Sequence, residues 1–414
     1  MTLLQDQIYD TASACRISGS RHVVDVLPLG AQPLANSLKD EAIGAELRVP
    51  LTLGFCPDSS LVQIRETVRK EILFSNYVWV SGTSETTRRW AEQFARAVVD
   101  LGRLVPDDLV VEIASNDGTF LKPFIAGGYR HVVGVDPATN IADIAVREGI
   151  PTLNAFWGRE IAERVVQQHG QAKVLFARNV IAHTSEVHDV MSGIELALRQ
   201  DGIGVFEFHY AAEILNGLQY DSVYHEHLCY FSLASIENLL RRSGFTVFHA
   251  DFSPISGGAL VVYFSRQRRE PSRALLDIAA AEERNRVNRL ETWQRFADAC
   301  VLHKRRSTEL VASLSGRRIV GYGSSARSAT YVNYCGFDAT QIAAVIDNSP
   351  LKQGKFTPGS SIPIVSLEEG LRQSPDYIFV FAWNFRDEIV TSCRRAGYQG
   401  RFITAFPGAP AVWD

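Results

Sequence analysis

Apolar and polar positions divide the chain into regions of different character. In the first, to about residue 75, short alternating runs between turn residues predict β-strands. The strands predicted there are Val23–Leu27, Leu47–Leu53 and Leu61–Ile64. A helix is predicted over Glu85–Leu101, because Trp90, Phe94 and Val98 recur at helical spacing. This region therefore reads as a small β-rich unit followed by an amphipathic helix.

From residue 109 onward, short apolar runs alternate with helical patterns. The strands predicted in this region are Leu109–Ile113, Val132–Val135, Lys173–Ala177 and Gly204–Phe208. Alternation of strand and helix predicts an α/β fold with a parallel, doubly wound central sheet. Ligands in such sheets bind beyond the carboxyl ends of the strands, where Asn116, Asp136 and Asn179 all fall.

The last part of the chain changes character twice. Residues 272–315 contain neither glycine nor proline, which predicts one or two long helices. A second strand–turn–helix unit begins at Arg318, and strands are expected at Ile342–Ile346 and Tyr377–Ala382. The predicted organisation is a β-rich domain (1–75), a ligand-binding doubly wound domain (76–265), a helical connector (266–315) and a second, Rossmann-like α/β domain (316–414).

Composition excludes several classes of protein. The 414 residues carry a net charge of −4 and no basic stripe, so no nucleic-acid partner is expected. No apolar run approaches the roughly 20 residues that span a bilayer, so no membrane partner is expected either. The six cysteines are scattered, as is typical of a reducing compartment. We expect a cytoplasmic protein without an obligate protein partner.

The most informative motif is the turn Glu112–Gly118, which follows a buried strand, together with Asp136 at the end of the next strand. Small residues let backbone amides approach a ligand, and the carboxylate can accept ribose hydroxyls. The turn lacks G-x-G-x-x-G, so S-adenosylmethionine (SAM) fits better than a dinucleotide. The alternative is an ordinary βαβ unit. The predicted cofactor residues are Glu112, Ala114, Asn116, Asp117, Gly118, Asp136, Pro137 and Asn179.

The densest polar cluster runs from Asp221 to Ser232. His225 and His227 have the His-x-His spacing of a zinc chelate, but Glu226 would point away from both in a strand, which leaves too few ligands. General acid–base chemistry suits the cluster better, because histidine titrates near neutrality and Tyr224 can donate a proton. The bland alternative is a solvated loop, and we assign His225 a structural role.

Two further turns are candidates for ligand contacts. Asn179 and His183 follow a strand and would lie over the same edge as Asp136, although either could simply cap a helix. The stretch Gly321–Ser328 offers hydroxyls, a helix N-terminus and the Arg327 guanidinium, which suit a diphosphate. Its alternative is a tight strand–helix turn.

The N-terminal region contains a reduced version of a zinc motif. Cys15-x-x-Ser18 and Cys56-x-x-Ser59 would form a four-thiolate site if both serines were cysteines. Serine does not replace a thiolate ligand, and two thiolates do not hold zinc. We therefore predict that the protein has no metal site.

Taken together, these motifs resemble the sugar C-methyltransferase family of deoxysugar biosynthesis, over nearly the whole chain. The resemblance is carried by the paired cysteine motifs, the Glu112–Gly118 turn, Tyr224-x-Glu226-His227, Gly321–Ser328 and Phe381–Asn384. It implies SAM between Asn116, Asp136 and Asn179, with a thymidine diphosphate toward the C-terminal domain. It also implies substrate contacts from Tyr224, Glu226 and His227. The further predicted substrate-binding residues are Trp79, His183, Ser324, Ser325, Arg327, Trp383 and Asn384.

The chain departs from the family pattern at several positions. Half of the zinc ligands are absent, and Ala114 replaces a glycine, which is tolerable only where the backbone is not left-handed. Trp79 stands where the family tends to carry a tyrosine, and an indole cannot shuttle a proton. The zinc-less pattern is similar to mycarose-type 3-C-methyltransferases of antibiotic biosynthesis, which are also associated with 4-ketoreduction.

The expected activity is SAM-dependent methylation at C3 of a dTDP-4-keto-2,6-dideoxyhexose. His227 is the expected base, with Glu226 orienting it or supporting it electrostatically. Tyr224 is expected to hydrogen-bond the developing enolate or a neighbouring hydroxyl. C3 rests on the resemblance alone. Two alternatives remain, namely an NADPH-dependent 4-ketoreductase, alone or as a second activity, and a non-catalytic SAM- or nucleotide-binding protein.

Overall fold

The computed structural model describes residues 8–44, 46–74 and 80–414. Trp79, which is one of the predicted substrate-binding residues, lies outside the described residues. None of the helices within these ranges is long and apolar enough to cross a membrane.

The N-terminal region is built from short strands, as the alternating pattern predicts. Its elements are β1 (Tyr9–Thr11), β2 (Val24–Pro33), β3 (Arg48–Cys56), β4 (Leu61–Ile64), β5 (Glu66–Val68) and α1 (Lys70–Phe74). Strands β2, β3 and β4 pair antiparallel, and β1 pairs with β5. The side chains of Leu51, Leu53 and Phe55 are buried on β3, so this strand carries the core of the unit.

The central region alternates strand and helix. Its elements are α2 (Glu85–Gly102), β6 (Leu109–Ile113), α3 (Lys122–Ala126), β7 (His131–Asp136), α4 (Thr139–Arg147), β8 (Thr152–Asn154), α5 (Arg159–His169), β9 (Ala172–Arg178), α6 (Val187–Ala197), β10 (Leu198–His209), α7 (Ala211–Asn216), β11 (Cys229–Tyr230), α8 (Leu233–Arg242), β12 (Thr246–Ser253) and β13 (Ala259–Ser265). The predicted helix over Glu85–Leu101 is confirmed, with Trp90, Phe94 and Val98 buried.

The central sheet is doubly wound, in the order β12-β13-β10-β9-β6-β7-β8. The prediction of a parallel sheet holds for β8, β7, β6, β9 and β10. The sheet also contains two strands that the sequence pattern did not predict, and these are antiparallel: β13 pairs with β10, and β12 pairs with β13. A short connection joins β12 to β13, which allows only a hairpin-like, antiparallel pairing.

The C-terminal region holds the predicted long helices and a second sheet. Its elements are α9 (Arg273–Arg284), α10 (Leu290–Ser313), β14 (Ile319–Tyr322), α11 (Ala326–Cys335), β15 (Val345–Ile346), β16 (Ile364–Val365), α12 (Leu367–Arg372), β17 (Tyr377–Val380), α13 (Arg386–Arg395), β18 (Arg401–Thr404) and β19 (Ala411–Trp413). The sheet order is β16-β15-β14-β17-β18-β19, parallel except for β19. The strand expected at Ile342–Ile346 is shorter, because only Val345 and Ile346 pair with β14.

The segment between α7 and β11 connects the three regions. Residues 220–222 form a single 3-10 turn, and the following residues form turns rather than a strand. The segment ends in β11, which pairs with β4 of the N-terminal sheet. The histidine cluster therefore lies where the N-terminal sheet meets the central sheet.

Candidate active site

A cavity of about 290 Å³ lies beyond the carboxyl ends of β6, β7 and β9. Six of the predicted cofactor residues line it, namely Glu112, Ala114, Asn116, Asp136, Pro137 and Asn179. His183, predicted from the sequence to contact the substrate, lines the same cavity. Asp117 and Gly118 do not line it and instead hold the turn behind it. The cavity occupies the edge of the sheet where ligands of doubly wound proteins bind.

Asp136 joins the two halves of the turn motif. Its Oδ2 accepts a hydrogen bond from the Asn116 amide at 2.8 Å, and its Oδ1 accepts one from the Ala138 amide at 2.9 Å. Burial raises the pKa of the carboxyl, while these two amide bonds oppose the rise. Each carboxylate oxygen retains a second lone pair, so the group can still accept hydroxyl donors from a ribose.

The turn after β6 is left-handed at Ala114, which has a φ of 50°. The sequence-based condition for tolerating alanine in place of glycine is therefore not met. Asn116 and Asn179 have φ values of 52° and 51°, but asparagine adopts this conformation more readily than alanine does. A left-handed alanine costs about 1–2 kcal/mol. The alanine at this position therefore strains the wall of the cavity.

A short turn at Ser81–Thr83 lies against the back of the motif. The Ser81 amide donates to Oδ1 of Asn116 at 2.8 Å, and the Gly82 amide donates to Oδ2 of Asp117 at 3.0 Å. A Cβ atom at Gly82 would crowd that carboxylate oxygen, so a larger residue there would have to displace the Asp117 side chain. The side chains of Asn116 and Asp117 thus hold the turn at Ser81–Thr83 in place.

Arg178 and Glu207 form a buried ion pair beside the cavity, which sequence reasoning missed. The guanidinium bonds both carboxylate oxygens at 3.0 Å, and the Trp90 indole donates to the same carboxylate. Oε2 of Glu112 has no hydrogen-bond partner among the described residues, and burial raises the pKa of Glu112 well above its usual value. The available signal was a charged residue at the end of each of two buried strands, Arg178 on β9 and Glu207 on β10.

His227 is fixed by hydrogen bonds on both ring nitrogens. Its Nδ1 lies 2.9 Å from the Ser222 carbonyl oxygen, and its Nε2 lies 2.7 Å from the Tyr224 hydroxyl. A carbonyl can only accept, so the proton of the neutral ring is on Nδ1 and Nε2 carries the lone pair. The His183 ring packs edge-on against the His227 ring, with 4.7 Å between the ring centres.

Burial determines the protonation states of His227, His183 and Glu226. Burial, followed by the charges of His183 and His209, lowers the pKa of His227 well below its usual value. Burial also lowers the pKa of His183 to about 4. It raises the pKa of Glu226 to about 7, against a hydrogen bond of 2.6 Å from the Asn36 amide group. Near neutral pH the imidazoles are uncharged, and Glu226 titrates.

His225 faces away from this cluster. Its Nε2 lies 3.2 Å from the Val49 carbonyl oxygen and 3.0 Å from that of Pro50, on β3. The segment is a series of turns, so the strand geometry assumed for Glu226 and the two histidines is not found. Across the described ranges no three His, Cys, Asp or Glu side chains are grouped to hold a metal ion.

The predicted residues of the C-terminal region lie about helix α11. The Ser324 amide donates to Asp347 at 2.9 Å, and Ser325 caps the helix. Arg327 is committed to an ion pair with Asp221, which also accepts the Trp383 indole N–H at 2.9 Å. Asn384 is exposed. Arg327 therefore holds a carboxylate rather than standing ready for a phosphate.

The residues of the degenerate zinc motif contact each other in pairs. The Cys15 thiol lies 3.1 Å from the Ser59 hydroxyl, and the Ser18 hydroxyl lies 3.8 Å from the Cys56 thiol. Burial raises the pKa of the Cys15 thiol, but hydrogen bonds from Ser18 and Ser59 outweigh it and lower the net value. Two thiols and two alcohols do not supply the four ligands of a structural zinc site. The residues present do not fit zinc.

Family models match three consecutive parts of the chain. A putative zinc binding domain matches residues 15–74, a methyltransferase domain matches 84–250, and a C-methyltransferase C-terminal domain matches 254–407. The chain is also 32% identical to C-methyltransferase NovU of Streptomyces niveus over 401 residues, which is 95% of each protein. The chain belongs to this family of C-methyltransferases, and the family prediction made from the sequence is confirmed.

Solved structures resemble part of the chain at low identity. Magnesium protoporphyrin IX methyltransferase of Synechocystis PCC 6803 with bound S-adenosylhomocysteine (SAH) has 13% identity and a TM-score of 0.35, covering 44% of this chain and 84% of that one. A possible histamine N-methyltransferase of Thermotoga maritima has 18% identity and a TM-score of 0.32, covering 44% of this chain and 91% of that one. The family assignment rests on the sequence matches, and it makes this protein a SAM-dependent C-methyltransferase.

Proposed function

We propose that the enzyme methylates C3 of a dTDP-linked 4-keto-2,6-dideoxyhexose through a base-generated enolate. The observation that carries the proposal is the fixed tautomer of His227, whose Nδ1–H is held by the Ser222 carbonyl. This bond leaves Nε2 as the basic atom of a ring that burial keeps neutral. C3 itself comes from the family resemblance.

The ketone at C4 makes the C3 proton acidic, and the neutral imidazole offers Nε2 as the acceptor for this proton. His227 Nε2 takes this proton and becomes an imidazolium, and the electron pair of the C3–H bond forms the enolate. A positioned base of this kind contributes about 10²–10⁴-fold to the rate. In the described state Nε2 faces the Tyr224 hydroxyl at 2.7 Å, so this hydroxyl must turn away when the sugar binds.

Tyr224 and Glu226 then stabilise the two charges that form. The Tyr224 hydroxyl, turned from His227, donates a hydrogen bond to the enolate oxygen at C4. Preorganised donors at such oxyanions contribute about 10²–10³-fold each. The Glu226 carboxylate, which Asn36 holds at 2.6 Å, supports the imidazolium electrostatically.

SAM supplies an electrophilic methyl group when it is bound. Asp136, Asn116 and Asn179 line the cavity in which it would lie, with the carboxylate placed for the ribose hydroxyls. His183 lines the same cavity and contacts the His227 ring, so it links the cofactor cavity to the base. This contact supports a proton acceptor that lies next to the methyl donor.

The nucleotide of the substrate is proposed to lie along the turn before α11. Ser324 and Ser325 supply hydroxyls beside a helix N-terminus, where phosphates bind, while their amides already donate to Asp347 and Ser328. Because Arg327 is paired with Asp221, we assign it no phosphate contact. We also propose that the enzyme works without zinc, since its two thiols are bonded to serine hydroxyls.

The first test is mass spectrometry of a dTDP-4-keto-2,6-dideoxyhexose incubated with the enzyme and either SAM or NADPH. A gain of one methyl group with SAM alone is expected, and NMR of the product then locates it. A gain of two hydrogens with NADPH and no methylation with SAM would overturn the proposal in favour of a ketoreductase.

Deuterium exchange tests the base separately from methyl transfer. In D₂O, without SAM, the wild type should exchange the C3 proton of the sugar, and His227→Asn should slow this exchange by about 10²–10⁴-fold. His225→Asn is the matched control, because this histidine faces β3 instead of the cluster. Unchanged exchange in His227→Asn would remove His227 from the mechanism.

A further inference from the structure

Helix α11 of the C-terminal region holds the segment that carries the proposed base. Nε and Nη2 of Arg327 bond the two carboxylate oxygens of Asp221 at 3.0 and 2.9 Å. One turn further along the helix, the Thr330 hydroxyl donates to the Val223 carbonyl oxygen at 2.9 Å. The helix therefore bonds the segment at two residues, Asp221 and Val223, which are separated by a single residue.

That single residue is Ser222, whose carbonyl oxygen accepts the proton of His227 Nδ1. Tyr224, on the other side of Val223, places its hydroxyl against Nε2 of the same ring. Both partners of the imidazole thus belong to the backbone stretch that α11 holds. A displacement of this stretch would change the hydrogen bonds of both ring nitrogens.

The contacts are buried, so they are stiff. The Asp221 side chain is 2% exposed and that of Arg327 is 15% exposed. A bidentate arginine–carboxylate pair fixes orientation as well as distance. The Trp383 indole adds a third hydrogen bond to the same carboxylate, at 2.9 Å.

The N-terminal end of α11, which carries Arg327, directly follows the turn at Ser324 and Ser325, where the nucleotide of the substrate is proposed to bind. Arg327 lies in the first turn of the helix and Thr330 three residues further on, so a shift of the helix N-terminus would move both contacts. We propose that α11 orients His227 for proton abstraction, with Arg327 and Thr330 as positioning residues. This inference rests on the proposed function, in which His227 is the base.

The kinetic test compares two buried threonines of the C-terminal region. Thr330→Val keeps the shape and removes the bond to the Val223 carbonyl. Thr357→Val is the matched control, since the Thr357 hydroxyl bonds Ser360 and does not contact the segment. Thr330→Val should lower kcat by roughly 10- to 100-fold with the KM for SAM unchanged, because small misplacements of a reacting group have effects of this size. Thr330→Ser should restore activity.

A second test needs no turnover. In ¹⁵N NMR spectra of the histidine rings, wild-type His227 should show one neutral tautomer, with the proton on Nδ1. Thr330→Val and Arg327→Lys should both show a mixture of tautomers or exchange broadening, while Thr357→Val should match the wild type. Folding of each variant is checked by SAM binding.

The two tests separate failure of the inference from failure of the proposed function. A wild type that transfers no methyl group to any dTDP-4-keto sugar counts against the function, and the NMR comparison still decides whether α11 orients the ring. Equal kcat values for the two threonine variants, with an unchanged His227 spectrum, would overturn the role of α11.

Discussion

Ala114 carries a conformational penalty in the wall of the cofactor cavity. Its φ of 50° is the left-handed region that alanine avoids and glycine enters freely. Ala114→Gly should therefore raise the free energy of unfolding by about 0.5–1 kcal/mol, measured by urea denaturation. Ala142→Gly, in the middle of α4, is the control and should lower it by a similar amount, because helical alanine is unstrained. An equal loss of unfolding free energy in Ala114→Gly and Ala142→Gly would contradict a strained backbone at Ala114.

Glu226 should control the pH dependence of activity. Burial raises its pKa to about 7, so kcat/KM should fall as the pH drops through 7 and the supporting carboxylate is protonated. Glu226→Gln should remove this acid limb and lower the plateau on the order of 10²-fold. The measurement is a pH profile of kcat/KM between pH 5 and pH 9. If Glu226→Gln kept the same acid limb, the limb would have to be assigned to another titrating group.

The raised pKa of Glu226 also affects the stability of the fold. The folded protein holds the Glu226 proton more tightly than the unfolded chain, whose carboxyl has the ordinary pKa of 4.5. This contribution to stability is complete below pH 4.5 and is lost as the pH rises through about 7. Glu226→Gln should flatten the stability profile over that interval.

The paired loops of the N-terminal region retain the arrangement of a metal site without its ligands. Each thiol contacts a serine hydroxyl, Cys15 with Ser59 and Cys56 with Ser18. The double variant Ser18→Cys/Ser59→Cys should bind one zinc ion per chain by elemental analysis, with a Tm that falls on chelation. The wild type should contain no stoichiometric zinc.

A control for the zinc prediction adds two thiols outside the group formed by Cys15, Ser18, Cys56 and Ser59. Ser20→Cys/Ser60→Cys changes neighbouring serines of the same two loops and should gain no zinc. Zinc in the control as well as in the test variant would mean that the four positions have no special arrangement.

Elements with a strong local pattern were predictable from the sequence. Strand Leu109–Ile113 has the bounds that its apolar run predicts, and the helix from Glu85 differs at its end by one residue. The segment at 220–228 has no such pattern, because it is held by distant parts of the chain rather than by its own periodicity. For this reason the orientation of His225 could not be read from spacing.

At the scale of the molecule, part of the candidate site could be predicted from the sequence and part could not. The residues of the cofactor cavity follow strand ends, and the rule for doubly wound sheets locates them from the sequence. The pairing of Arg327 with Asp221 joins residues 106 positions apart, and that of Asn36 with Glu226 spans 190. No local signal encodes such contacts, so Arg327 was expected at a phosphate and not at a carboxylate.

The segment that α11 holds at Asp221 and Val223 also bears on when a newly made chain becomes competent for methyl transfer. Its β11 end pairs with β4, which is synthesised early, whereas its Asp221 end waits for Arg327 and Trp383, which are synthesised late. Domains generally form in the order of synthesis, so we expect the cavity beyond β6, β7 and β9 to form before α11 can hold the segment that carries the proposed base. On this proposal, methyl transfer becomes possible only after the C-terminal region has folded against that segment.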